Sequence, residues 1–148
     1  MVNLIKDNRN KVLFIFLLIC CSYNTLKKTD SIIHYDIIFG DYFSNDVMDF
    51  YIDNSLVVKN GYLDSKGSSG VTKIHLKITY ENGKYFIDDG VEKKLFTLNK
   101  KVNFFKLIVN GVEKSFKVYP KNGKYIIFFD DETNGIQFFQ SKKPLELD

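Results

Sequence analysis

Residues able to do chemistry are sparse in this 148-residue chain, and the two histidines come first. Neither His34 nor His75 has a second His or a Cys at metal-ligand spacing. On a strand, same-face neighbours sit two residues away. For His75 those are Lys73 and Lys77, so His75 reads as a solvated strand residue. His34 has Asp36 two residues on, a pair that could orient an imidazole as in a catalytic dyad. The simpler expectation is one polar face of an edge strand. No serine is framed as a nucleophile elbow. The stretch Gly67-Ser68-Ser69-Gly70 lacks the Lys and the following helix of a phosphate loop. Acidic residues gather at Asp41, Asp46, Asp49 and Asp53, and again at Asp130, Asp131 and Glu132. Loops of this kind can offer oxygens to calcium, but the spacing matches no EF-hand. Charged loop tips also protect strand edges. The expectation is a non-catalytic protein with no cofactor and no metal.

Aromatic residues are the richer resource, with 14 Phe and 9 Tyr. Three doublets stand out: Phe104-Phe105, Phe128-Phe129 and Phe138-Phe139. Strand alternation sends one member of each to the core and the other outward. Phe104, Phe128 and Phe138 are the expected outward set, a surface for a sugar ring, a peptide or a partner protein. Such a set could equally lie between two layers.

The N-terminus carries an address. Lys6, Arg9 and Lys11 against Asp7 form a cationic head, and Val12–Ile19 is continuously apolar. This is the pattern of a secretory signal peptide. Cys20 and Cys21 extend the apolar run to only ten residues, short of the roughly 20 needed to span a bilayer as a helix. The segment Leu18-Ile19-Cys20-Cys21-Ser22 resembles the lipobox of bacterial lipoproteins, in which a small residue precedes the modified Cys. Leu18 and Ile19 fit, whereas Cys20 stands where Gly, Ala or Ser is usual. The resemblance implies a diacylglycerol on Cys21, which becomes the mature N-terminus. Two or three acyl chains would hold the protein stably on a membrane. It also implies the cell envelope, with the outer membrane as anchorage on its periplasmic or outer side. The alternative is an ordinary signal peptide cut near Cys20 to Asn24, without lipid. The expected division is residues 1–20 as signal, 21–30 as lipidated N-terminus and tether, 31–141 as a β domain, and 142–148 as a tail.

Composition narrows the partners. The chain has no Ala, thirteen Asn and one Arg, Arg9, a skew typical of an AT-rich genome. Removing the cationic head leaves 18 Lys against 17 acids, so the remainder is nearly neutral. Without Arg it cannot make bidentate contacts to phosphate or guanine, and nucleic acid is not an expected partner. Both cysteines are spent at the signal, so the body has no internal disulfide and no thiolate metal site.

The elements that would carry these residues read as strands. Short apolar runs alternate with turn signals every 8–12 residues. Candidates are 31–39, 47–52, 55–59, 71–80, 84–87, 91–98, 102–109, 112–119, 124–130 and 136–141. In 71–80, Ile74, Leu76 and Ile78 face the core while Lys73, His75, Lys77 and Thr79 face out. Asn110-Gly111 is the strongest hairpin signal, because a type I′ turn needs positive φ at both central residues. It pairs Val109 with Val112 and Phe105 with Phe116. Asn82-Gly-Lys-Tyr85 recurs as Asn122-Gly-Lys-Tyr125, a weak echo that recurrent asparagine-glycine turns explain. The expected fold is all-β, an antiparallel β-sandwich of about nine or ten strands, with a β-barrel as the alternative. The expected function is a non-catalytic, membrane-anchored binding domain whose ligand is a protein or a glycan. A barrel carrying a small apolar ligand is the alternative, and an exported hydrolase ranks last.

Overall fold

The computed structural model describes residues 31–65, 70–99, 101–131 and 133–144. The signal, Cys21 and the tether lie outside the described residues. Ten strands follow in order: β1 Ile32–Phe39, β2 Asp46–Ile52, β3 Ser55–Leu63, β4 His75–Glu81, β5 Lys84–Asp88, β6 Lys93–Phe96, β7 Asn103–Val109, β8 Val112–Val118, β9 Tyr125–Asp131 and β10 Gly135–Ser141. They form a six-stranded sheet, β10-β9-β1-β4-β5-β6, and a four-stranded sheet, β3-β2-β7-β8. The two sheets pack against each other as an all-β sandwich. The barrel alternative is not realised, since each sheet ends in edge strands.

Three two-residue turns set local register. Asp53-Asn54, Asn82-Gly83 and Asn110-Gly111 each have positive φ at both positions, as type I′ turns require. The expected pairs Val109 with Val112 and Phe105 with Phe116 both form. One ladder departs from the antiparallel expectation. β1 and β9 run parallel, with Asp36 beside Tyr125 and Phe39 beside Phe128. This places β1 between β9 and β4, so His34 lies on a central strand rather than an edge.

Alternation drives the core. Tyr35, Ile37 and Phe39 of β1 and Met48, Phe50 and Ile52 of β2 are fully buried. Phe105, Leu107, Ile126 and Phe128 join them between the sheets. Full burial of one such side chain contributes about 1.5–3 kcal/mol. Phe128 stacks on Phe39 at 5.6 Å, and Phe50 meets Phe39 edge-on at 5.6 Å. In β4, Leu76 and Ile78 point inward as expected and Ile74 packs on the core's margin. Thr79 is buried instead of exposed, flanked in the ladder by Ile33 and Phe86.

The asparagine-glycine echo is not a structural repeat. Asn82-Gly83 is a hairpin turn, whereas Asn122 ends the 3-10 turn Pro120–Asn122. Gly123 then passes against the end of β10 at φ 137°, where a Cβ would lie 2.1 Å from the Ser141 carbonyl oxygen. Only glycine permits that approach.

Candidate functional site

The polar core of the site begins with Asn103, the first residue of β7 and fully buried. Buried amides must find partners. The Tyr35 hydroxyl donates to Asn103 Oδ1 at 2.8 Å. Asn103 Nδ2 donates to Asp53 Oδ2 and to the Asn99 carbonyl oxygen, each at 2.9 Å. Asp53 sits in the β2–β3 turn, and its Oδ1 accepts the Phe104 backbone N–H at 2.8 Å. The Asp53 N–H in turn donates to the Phe104 carbonyl at 2.9 Å. Burial, then the charge of Asp53, then Tyr85, push the Tyr35 phenol above its ordinary range. The phenol therefore stays protonated and keeps donating.

This relay ties β1, the β2–β3 turn and the β6–β7 crossing to one another. Its Asp53 and Asn99 line an open groove of about 520 Å³ together with Asn54, Ser55, Thr97, Leu98 and Phe104. The Phe104 ring is 49% exposed, and Lys117 Nζ lies 5.9 Å from its centroid. The groove joins one flat aromatic face to several short polar side chains. That combination suits a ligand with an apolar face and hydroxyl or amide edges. Both Asp53 oxygens are committed to N–H donors, which makes this carboxylate a loop anchor.

The three expected platform residues do not share a surface. Phe104 projects from the outer face of the four-stranded sheet. Phe128 is fully buried between the sheets, touching Phe116 at 5.5 Å. Phe138 is half-buried, 5.0 Å from Phe116. Their neighbours Phe129 and Phe139 are the outward members, and Phe139 is 54% exposed. The hairpin explains the choice: Phe129 pairs with Gln137 and Phe128 with Phe138, so the polar partner marks the outer side.

The histidines are placed differently from the expected dyad. A bulge between Ile33 and Tyr35 turns the His34 ring onto Tyr35 and Tyr85, at 4.7 and 5.0 Å. Among the described residues its Nε2 has no hydrogen-bond partner, and burial lowers its pKa from 6.5. Asp36 bonds His75 instead, across the outer face of β1 and β4.

The acidic loops hold turns. Asp46 accepts the Ser44 N–H and the Asn110 side-chain N–H, Asp49 accepts the Asn60 N–H, and Asp131 accepts the Thr133 and Asn134 N–H groups. Burial, then the charges of Asp46 and Asp131, raise the Asp130 carboxyl. Among the described residues no group of three His, Cys, Asp or Glu could hold a metal ion. Among them, too, no helix is long and apolar enough to cross a membrane. No known protein family matches the chain, and no curated protein or solved structure shows significant similarity to it.

Proposed function

We propose that this chain is an exported lipoprotein, anchored through Cys21 in the cell envelope, whose β-sandwich binds a ligand without transforming it. One observation carries the binding half. The exposed Phe104 ring borders a polar groove whose Asp53 is held by the Tyr35–Asn103–Asp53 relay. A groove fixed in advance loses little entropy on binding, so weak contacts suffice. Ring and amides together favour a glycan, with an extended peptide as the second occupant. The lipobox-like Leu18-Ile19-Cys20-Cys21 carries the anchoring half.

The test of binding is an amide chemical-shift titration of the mature protein with envelope glycan fragments. Shifts confined to Asn54, Asn99 and Phe104, and abolished in Phe104→Ala, support the reading. Shifts spread evenly over the domain, or none with glycans and peptides alike, contradict it.

A further inference from the structure

We propose that the end of the sandwich where β1 begins docks on an anionic phospholipid surface. The occupant follows from the lipid-anchor reading above, and the surface follows from the geometry.

Strand registers gather distant segments at this end. The start of β1 lies beside Tyr80 near the end of β4. The β2–β3 turn meets the start of β7 there, and β8 finishes beside it. Parallel pairing of β9 with β1 brings residues 121–124 to the same end. Ser141 pairs with Tyr125, which brings the chain after β10 there as well. Gln140 Nε2 ties this corner by donating to the carbonyls of Tyr119 and Gly123, at 2.9 and 2.7 Å.

The corner is basic. Lys121, Lys124, Lys142 and Lys143 meet on it, and all but Lys124 are exposed. Lys84, Lys101 and Lys117 continue along the rim and are exposed too. Among the described residues no ion pair engages any of these seven. Among the described residues the acids at this end are Asp53, committed to the relay, and Glu81, bonded to Lys93. Among those residues seven lysines stand against two acids. The opposite end instead carries Asp41, Asp46, Asp130 and Asp131. A nearly neutral domain is thus polarised along its length.

Three of the lysines lie over rings: Lys117 over Phe104, Lys121 over Tyr119 at 5.8 Å, and Lys124 over Tyr125 at 5.1 Å. Lysine and tyrosine side chains suit a headgroup layer, with apolar bodies at its lower boundary and polar tips among phosphates. The chain also arrives here, because β1 begins at Ile32. Under the anchor reading, this is the end of the domain that the chain from Cys21 joins. Asp53, Asn54, Asn99 and Phe104 set the groove at this same end, so docking brings the groove to the headgroup layer.

The test uses the full chain on vesicles of phosphatidylcholine alone or mixed with phosphatidylglycerol. Lysines are labelled with a membrane-impermeant amine reagent and read individually by mass spectrometry. Each lysine near an anionic surface is worth about fivefold in partitioning. Lys121, Lys142 and Lys143 should therefore label at least about fivefold more slowly on the mixed vesicles. Lys73 and Lys114, towards the other end, should label equally on both. Raising salt to about 1 M, where screening acts within about 3 Å, should remove the protection. So should K121E/K142E/K143E, read at the remaining Lys117 and Lys124, which the mixed vesicles protect in the same way; its exposed positions leave the melting temperature unchanged. Equal labelling on both vesicles, or protection that survives the triple variant, overturns the proposal. Flotation of the same samples reads the anchor separately. Flotation with both vesicle types and composition-dependent labelling supports anchor and docking together. Flotation only with phosphatidylglycerol supports docking and removes the anchor. Flotation with neither overturns both.

Discussion

Replacing Tyr35 with Phe tests the relay that holds the groove. The ring keeps its shape, so the change deletes one hydroxyl and leaves packing intact. Asn103 Oδ1 then loses its 2.8 Å donor inside a fully buried site. An unsatisfied buried acceptor costs about 1–3 kcal/mol. Urea slopes for small domains are about 1–3 kcal/mol per molar, so a loss near 2 kcal/mol lowers the unfolding midpoint by about 1 M. Asn103→Leu on its own strips Asp53 Oδ2 and the Asn99 carbonyl of a donor and leaves the Tyr35 hydroxyl unpaired. Combined, the two changes should cost less than their sum by about 0.5–3 kcal/mol, because each removes the other's stranded partner. Hydrogen exchange adds a local readout: the Phe104 amide, which donates to Asp53 Oδ1, should exchange faster in both variants. A Tyr35→Phe unfolding free energy within about 0.5 kcal/mol of wild type, or strict additivity, would refute the relay.

Three further outcomes follow from the packing and the titrating groups. Phe128→Ala should cost about 3–5 kcal/mol in urea unfolding. Phe104→Ala should stay within about 0.5 kcal/mol, and equal losses would contradict their opposite burial. Gly123→Ala should lose more than about 1 kcal/mol, since its Cβ would overlap the Ser141 carbonyl at positive φ; an unchanged melting temperature contradicts this. Burial holds the folded-state pKa of His34 below 6.5, so the unfolded chain binds more protons as pH falls through that value. Stability should therefore drop from pH 6.5 down to the depressed folded value and then level off. His34→Phe should flatten that part of the profile, and identical wild-type and variant profiles would remove His34 as its source.

Local chemistry made much of the fold readable. Asn110-Gly111 fixed its hairpin because turn geometry and the Phe105–Phe116 pair demanded one register. Ten strands emerged from alternation and punctuation alone. The parallel ladder between β1 and β9 did not, because no turn joins strands about ninety residues apart. The Phe doublets were ambiguous for another reason. Alternation says that one ring faces out, and only the cross-strand partner says which; Gln137 opposite Phe129 was the usable signal. His34 and Asp36 were separated by a bulge, which no spacing rule reveals. The groove and the basic corner stayed hidden because they are assembled from segments far apart in sequence. Asp53 and Asn103 lie 50 residues apart. The corner's lysines are scattered over several segments of a chain whose overall charge is nearly balanced.

Membrane anchorage through Cys21 is tested most directly by mass spectrometry of the mature N-terminus after membrane fractionation. The expected product is a membrane-bound protein whose first peptide begins at Cys21 and carries the mass of its acyl chains. A soluble protein whose unmodified first peptide begins beyond Cys21 would contradict it.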